Sequence, residues 1–427
     1  MQHYDDFING EFRTFSGRDR IEVRNHPNGT LTCTVLDSGK QEMDEATERA
    51  ETAQCGWAKF RAVDRSKVLH SIAAKIRERS DMTDYSDYTA ECARRIESEI
   101  LESDRPGETI LLFRQPIGVV GGILTWNFPY FLIARKVAPV LLTGNTIVSK
   151  PSEETSHNAV EFCGILKEVG VLAGIINIVH DRGALAGHAV ASSHTGLITF
   201  TGSVQTCTVI MRAAADHITE VNLELRGKAP VLVMADADID LAVRAVKASR
   251  IINSGQACNC VERLYVQNQV AEEFANKLTI PMKVTRYGDS FRDESVEYRS
   301  LINEGGYQKV DKLVQSTIAQ CATPTMGRKR GRDEGGFYYE STVLTNCRQD
   351  MEIIRNEIFG PVVPNITFND LEEAIHFAHD SEYGLIPSIY TCNLNIALET
   401  CQEIRSGETY INRKHFEAME GFHAGWL

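Results

Sequence analysis

Short apolar runs rich in strand-forming residues alternate with helix-like segments along the middle of the chain, from about residue 117 to residue 253. The strand-like runs are Ile117–Leu124, Thr146–Ser149, Ile175–Val179, Leu197–Phe200 and Val231–Met234. The helix-like segments are Tyr130–Leu142, Ser156–Val169, Ala184–Ala191, Val204–Ala215 and Leu241–Ile252. Ser203 and Asp238 precede two of these segments as predicted N-caps. Strands joined by helices of this length form βαβ units with a parallel sheet, so the alternation predicts an α/β fold.

The segments on either side of this region predict further elements. Phe7–Phe15 is predicted to be a hairpin, because its Asn-Gly pair suits the tight turn between two strands. Amphipathic helices are predicted at Glu42–Ala62 and Arg65–Arg79, and a strand at Thr109–Phe113. A second α/β region is predicted from about residue 227 to the end.

Composition narrows the class of protein. The 427 residues carry 58 acidic and 45 basic side chains, and the formal charge of −13 is unlike that of a general nucleic-acid binder. The 11 cysteines are spread over a long chain, which argues against a disulfide scaffold and for a reducing compartment. The polar N-terminus lacks a signal-peptide core, and the most apolar stretch, Gly118–Ala134, is interrupted by Asn127 and Pro129. We therefore expect a cytoplasmic protein with neither a membrane nor a nucleic acid as partner.

The segment Ser254–Cys260 places a cysteine among small residues directly after a predicted helix. A thiolate activated by a nearby base or helix dipole is a strong nucleophile, so Cys258 is a candidate catalytic residue. The alternative is a structural cysteine buried in the core, a common environment for this residue type. Cys258 and Cys260 lack a second pair of ligands at zinc-binding spacing, so no metal site is predicted. The cysteine alone leaves both alternatives open.

Further motifs occur in order along the chain. They are Thr125-Trp126-Asn127-Phe128-Pro129, Lys150-Pro151-Ser152-Glu153, Phe200-Thr201-Gly202-Ser203, Leu223-Glu224-Leu225, Gly255-Gln256-Ala257-Cys258 and Glu357-Ile358-Phe359-Gly360-Pro361. Together they resemble the aldehyde dehydrogenase superfamily over nearly the whole chain. The stretch Glu408–Trp426 is most similar to the branch of that family that acts on lactaldehyde and glycolaldehyde.

The resemblance implies a covalent mechanism. Cys258 matches the nucleophile that adds to the aldehyde to give a thiohemiacetal, which becomes a thioester on hydride transfer and is then hydrolysed to the carboxylic acid. Asn127 matches the side chain that donates a hydrogen bond to the oxyanion. Glu224 matches the base that activates water. On its own, Glu224 would be interpreted as a structural carboxylate at a strand end.

The resemblance also implies NAD as cofactor. Lys150 and Glu153 match the pair at the adenosine ribose, where a carboxylate accepts a hydrogen bond from the 2′-hydroxyl and repels a 2′-phosphate. The other positions that match cofactor contacts are Trp126, Gly202, Ser203, Glu357 and Phe359.

Two residues are candidates for binding the substrate. Arg135 and His423 lie on segments that border the family's substrate tunnel, where their polar groups would hydrogen-bond the hydroxyl of a small 2-hydroxyaldehyde. The alternatives are a surface ion pair for Arg135 and a simple loop position for His423. The sequence leaves both alternatives open.

The implied architecture has three parts. A Rossmann-like, parallel-sheet NAD-binding domain covers residues 1–97 and 114–226, an oligomerisation hairpin covers 98–113, and a second α/β catalytic domain covers 227–427. A homo-oligomer is expected. It is expected to be weakened, since family members continue past Leu427 into a strand that pairs with a neighbouring subunit. Between Arg79 and Tyr85 the chain is also shorter than the family pattern.

Three positions that are usually glycine in the family carry Asp181, Cys207 and Arg226 here. Asp181 is expected to repel the cofactor phosphates, and Cys207 to push the cofactor outward. Arg226 is expected to pair with Glu224 and lower its basicity, or to fill the nicotinamide pocket. The alternatives to a working enzyme are therefore a catalytically impaired or silent relative, and a thioesterase that uses its cysteine and glutamate without NAD.

Overall fold

The computed structural model describes residues 2–79, 84–183, 194–331 and 335–413. The predicted helix Ala184–Ala191 and the candidate residue His423 lie outside these ranges. The chain divides into two compact units. The first holds the described residues of Met1–Arg24 and Leu31–Leu223, and the second holds those of Asn25–Thr30 and Glu224–Ala418.

Most strands of the first unit belong to a seven-stranded sheet. In chain order the strands are β1 (Gln2–Tyr4), β2 (Asp6–Ile8), β3 (Glu11–Arg13), β4 (Arg20–Arg24), β5 (Leu31–Leu36), β6 (Glu99–Glu102), β7 (Thr109–Leu112), β8 (Val119–Ile123), β9 (Thr146–Lys150), β10 (Ile176–Ile178), β11 (Thr195–Gly202) and β12 (Glu220–Leu225). The large sheet has the order β12-β11-β8-β9-β10-β2-β3, in which β11, β8, β9 and β10 run parallel to one another and β2 pairs antiparallel with β10. The parallel sheet predicted from the alternation is therefore confirmed.

The described residues of this unit form six α-helices, five of them at positions close to those predicted, whereas Asp84–Glu91 was not predicted. They span Lys40–Trp57, Ala62–Arg77, Asp84–Glu91, Pro129–Leu142, Ser156–Val169 and Val204–Ala215. The hairpin of β2 and β3 turns at Asn9 and Gly10, with φ of 57° and 84°, as the Asn-Gly pair predicts. Ile147, Leu166 and Ile178 are fully buried in the core between sheet and helices.

The second unit is built on another seven-stranded sheet. Its strands are β13 (Pro230–Val233), β14 (Arg263–Gln267), β15 (Thr323–Met326), β16 (Thr342–Thr345), β17 (Val362–Phe368), β18 (Ser388–Tyr390) and β19 (Tyr410–Ile411). Its helices are Ile239–Ile251, Ala271–Lys283, Glu304–Ala319, Glu352–Arg355, Leu371–His379 and Leu394–Glu403. The order is β15-β16-β17-β14-β13-β18-β19, and only the β15–β16 pair among these is antiparallel.

The hairpin of β6 and β7 carries exposed apolar side chains. Ile100, Leu111 and Leu112 are all exposed, although such residues are normally buried. An exposed apolar hairpin is a feature of surfaces that associate with other molecules.

No helix among the described residues is long and apolar enough to cross a membrane.

Candidate active site

The loop that carries Cys258 begins in the left-handed backbone conformation, which residues other than glycine rarely adopt. The helix Ile239–Ile251 gives way to Asn253, Ser254 and Gly255, whose φ angles are 44°, 59° and 75°. The Ser254 hydroxyl donates to the carbonyl of Arg299 at 2.6 Å, which fixes this turn in place. Tertiary contacts therefore hold these residues in an unfavourable left-handed conformation. Such strained backbone is common at functional sites, where it fixes the orientation of a side chain.

The two cysteines of this loop have different environments. Cys260 is fully buried, its thiol donates to the carbonyl of Ser249 at 2.9 Å, and burial raises its pKa to about 12. Cys258 is half-buried, beside Leu385 and Tyr410. The structural-cysteine environment thus belongs to Cys260, whereas the thiol of Cys258 is partly accessible.

The segment that carries Glu224 runs directly against the cysteine loop. Glu224 is half-buried near the end of β12, and Gly227 follows three residues later. A Cβ atom added at Gly227 would lie 2.1 Å from the carbonyl oxygen of Cys258, so only glycine permits this approach. The close contact places the chain that follows Glu224 against the backbone of Cys258.

A fully buried cluster of charges lies next to these two segments. The Glu262 carboxylate accepts from Lys228 Nζ at 2.7 Å and from Arg250 Nη1 at 2.8 Å. Burial alone would raise the pKa of Glu262, but Arg250 and Lys228 overcome this and lower it to about 2. Burial lowers the pKa of Lys228 to about 8, although Glu262 opposes the change. Glu262 therefore stays ionised in the interior.

This cluster also fixes the segment that carries Glu357 and Phe359. The same Glu262 carboxylate accepts the backbone N–H of Ile358 at 2.7 Å and that of Phe359 at 3.1 Å. Phe359 itself has a φ of 56°. The sequence motifs do not include Glu262, Lys228 or Arg250. Each is a charged residue in or beside an apolar run, and that position is the signal of burial that the sequence contains.

Glu357 lies between two cations in the same unit. Its side chain is 2% exposed, Arg226 Nε lies 3.2 Å from Oε2, and Lys309 Nζ lies 3.9 Å from the same oxygen. These are ion pairs, and neither carboxylate oxygen accepts a hydrogen bond from the described residues. Burial raises the pKa of Glu357 to about 7, opposed by Arg226 and Lys309. Arg226, expected to pair with Glu224, is thus paired with Glu357 instead.

In the first unit, the candidate cofactor residues lie at the carboxyl ends of three neighbouring strands, which form one edge of the sheet. Trp126 and Asn127 follow β8, Lys150 ends β9, and Gly202 ends β11 ahead of Ser203. These three strands are neighbours and run parallel, so their carboxyl ends lie together, where α/β sheets bind ligands. The edge therefore has the location expected of a ligand site.

The details at this edge support anion and ribose binding. Lys150 Nζ lies 3.3 Å from Glu153 Oε2, and the Ser203 hydroxyl accepts the N–H of Thr206 at 3.1 Å as the predicted N-cap. A helix N-terminus of this kind favours negatively charged ligands.

The described residues hold no group of three or more His, Cys, Asp and Glu side chains arranged to bind a metal ion.

Three other positions singled out from the sequence, Arg135, Cys207 and Asp181, also lie in the first unit. Arg135 lies on the helix Pro129–Leu142, with its guanidinium carbon 5.9 Å from the centre of the Phe131 ring. Cys207 is buried on the helix after Ser203. Asp181 is buried and accepts the N–H of Gly183 at 2.6 Å. Burial raises its pKa, while the Gly183 hydrogen bond and Lys150 oppose the shift.

Comparison with known proteins identifies the chain. The model of the aldehyde dehydrogenase family matches residues 12–83 and 80–426. The chain belongs to the aldehyde dehydrogenase family. The resemblance inferred from the ordered motifs is therefore confirmed.

Individual members of the aldehyde dehydrogenase family are also similar over more than nine-tenths of their length. Lactaldehyde dehydrogenase of Escherichia coli K12 is 44% identical over 98% of this chain and 92% of its own length. The 3,6-anhydro-alpha-L-galactose dehydrogenase of Vibrio sp. EJY3 is 33% identical over 100% of this chain and 94% of its own length. The crystal structure of E. coli lactaldehyde dehydrogenase superposes with a TM-score of 0.97, covering 99% of this chain and 94% of that one. The α/β fold is thus that of the aldehyde dehydrogenases.

Proposed function

We propose that this aldehyde dehydrogenase oxidises a small 2-hydroxyaldehyde, lactaldehyde or glycolaldehyde, to the carboxylic acid with NAD as hydride acceptor. The observation that carries the proposal is the pair of cysteines: Cys260 is sealed in the core, and Cys258 is partly accessible at the end of a turn held in a rare conformation. The 44% identity to lactaldehyde dehydrogenase of E. coli supports the choice of substrate class.

The buried carboxylate of Glu357 fits a cofactor that carries ribose hydroxyls. Both of its oxygens lack a hydrogen bond from the described residues, and burying such oxygens without donors costs free energy. Glu357 and Phe359 would hold the nicotinamide ribose and ring, Lys150 and Glu153 the adenosine ribose, and Gly202 and Ser203 the pyrophosphate. Trp126 would be a further cofactor contact. When bound, NAD supplies a hydride acceptor.

The remaining chemistry belongs to protein side chains. The Cys258 thiolate adds to the aldehyde carbon, and the amide of Asn127 and the Cys258 N–H donate hydrogen bonds to the oxyanion that forms. Loss of hydride leaves a thioester on Cys258. Glu224 then takes a proton from water, which attacks the thioester carbonyl and releases the acid and the thiolate.

The substrate contacts and the assembly are part of the same proposal. Arg135 and His423 would hydrogen-bond the hydroxyl next to the aldehyde. We assign residues 1–97 and 114–226 to the NAD-binding domain, 227–427 to the catalytic domain, and the exposed β6–β7 hairpin within 98–113 to a homo-oligomer contact. We place the enzyme in the cytoplasm.

The decisive experiment measures NADH absorbance with glycolaldehyde and lactaldehyde. The natural chain should form NADH, and Cys258→Ala should abolish it. Cys392→Ala, which removes an exposed cysteine of the same unit, should leave the rate unchanged. An active Cys258→Ala variant contradicts the mechanism, and turnover of an ester without NAD in a chain that forms no NADH favours the thioesterase alternative.

Substrate choice has its own test. Lactaldehyde and propanal have the same carbon skeleton and differ in one hydroxyl, so a site built to bind that hydroxyl should prefer lactaldehyde in kcat/KM. Equal values for the two aldehydes would contradict the proposed roles of Arg135 and His423.

A further inference from the structure

Arg226 stands where the family pattern has glycine, and its partner is the residue proposed to hold the nicotinamide ribose. Arg226 Nε lies 3.2 Å from Glu357 Oε2, with 40% of the arginine side chain exposed and 2% of the glutamate. The ion pair therefore joins a movable, half-exposed cation to a carboxylate fixed in the interior.

The backbone on both sides of this ion pair is held in place. Gly227, the next residue after Arg226, packs so closely on Cys258 that an added Cβ atom would lie 2.1 Å from its carbonyl oxygen. On the other side, the N–H groups of Ile358 and Phe359 donate to the buried Glu262. A ligand that needs the oxygens of Glu357 must therefore move the Arg226 side chain rather than either backbone.

We propose that Arg226 sets the affinity of the enzyme for the nicotinamide half of its cofactor by competing for Glu357, and that it leaves affinity for the adenosine half unchanged. This inference rests on the proposed function, since it takes Glu357 as the ribose ligand. Ribose hydroxyls are neutral donors, and an ion pair between guanidinium and carboxylate is the stronger competitor.

The charge around Glu357 allows the arginine to be removed without leaving the carboxylate alone. Lys309 Nζ lies 3.9 Å from the same Oε2 atom, and 36% of its side chain is exposed. A variant that lacks Arg226 therefore retains one cation beside Glu357. Releasing an ion pair whose cation is half-exposed, and therefore screened by water, corresponds to about a five-fold change in a binding constant.

The test is calorimetric binding of two probes, NAD and ADP, to the natural chain, Arg226→Gly and a matched control. ADP carries the adenosine and both phosphates but no nicotinamide ribose. Arg355→Ala is the control, because Arg355 also forms a half-exposed ion pair in the same unit, with Asp380. We expect NAD to bind about five-fold more tightly to Arg226→Gly, and ADP to bind all three proteins equally.

Each other outcome has a distinct meaning. An unchanged NAD affinity in Arg226→Gly, or an equal gain for ADP, overturns the inference while NAD remains the cofactor. Failure of both probes to bind any of the three proteins overturns the proposed cofactor itself. If Arg226→Gly does not fold, Arg226→Gln replaces the cation with a shorter, uncharged polar side chain, and the same NAD and ADP comparison applies.

Discussion

Replacing Glu262 by glutamine removes one charge from the centre of the second unit while keeping the shape of the side chain. In the natural chain this carboxylate accepts hydrogen bonds from Lys228, Arg250 and two backbone N–H groups, at 2.7 to 3.1 Å. Glu262 and Arg250 are 0% exposed, and Lys228 is 1% exposed. The Glu262→Gln variant leaves Lys228 and Arg250 buried without their anion. Its amide NH2 group also faces groups that donate hydrogen bonds and cannot accept them.

The expected loss of stability follows from this burial. Removing one partner of a buried ion pair typically costs about 3–5 kcal/mol, a large part of the about 5–15 kcal/mol that stabilises a protein. Because burial already lowers the pKa of Lys228 to about 8, loss of Glu262 lowers it further. The unfolded chain then binds more protons than the folded variant, so the stability of the variant should rise with pH.

The assay is urea unfolding followed by circular dichroism, at neutral and at mildly alkaline pH. Glu273→Gln is the matched control, because its partner Lys277 is 2.9 Å away and both side chains are exposed. We expect the control to lose little or no stability, because water screens an exposed ion pair. A Glu262→Gln variant as stable as Glu273→Gln, or one whose loss does not shrink as the pH rises, would refute the assignment of Glu262 as the anion that holds this cluster together.

Three further predictions concern other parts of the molecule. Gly227→Ala should lower stability by about 1–3 kcal/mol and reduce NADH formation, since its Cβ atom would lie 2.1 Å from the Cys258 carbonyl oxygen; an unchanged urea midpoint would contradict this. Burial raises the pKa of Glu357 from 4.5 to about 7, so the folded chain keeps a proton that the unfolded chain releases, and stability falls as the pH rises through this range. Glu357→Gln should therefore show a smaller decrease in Tm between about pH 5 and 7.5, and parallel curves would count against it. Ser203→Ala should cost about 1 kcal/mol in a urea titration because Thr206 loses its N-cap acceptor, whereas Ser203→Thr should be near neutral.

The sequence predicted the elements whose signals are local. The Asn-Gly turn, the caps at Ser203 and Asp238 and the alternation of strands and helices each depend on residues a few positions apart. The described residues contain the turn, both caps and the alternation, apart from the helix Ala184–Ala191, which lies outside them. Cys258 was singled out by its surrounding motif. Its distinction from Cys260 needed the structure, because burial depends on residues far away in the chain.

The charged cluster shows what the sequence could not give. The partners of Glu262 are Arg250, Lys228 and the N–H of Ile358, at separations of 12, 34 and 96 residues. No periodicity relates such distant positions, so a charge beside an apolar run indicates burial but does not reveal its partner. The pairing of Arg226 with Glu357 rather than Glu224 was hidden for the same reason.

The left-handed turn at Asn253–Gly255 gives Cys258 a use that does not depend on its proposed catalytic role. Because that turn is maintained by contacts such as the bond from Ser254 to Arg299, the thiol takes its position only once distant parts of the chain have assembled. Cys55, Cys321 and Cys392 are exposed and should react with an alkylating reagent whatever the state of the chain. The labelling rate of Cys258 relative to these three would therefore act as an internal gauge of how much of a preparation has reached the native state.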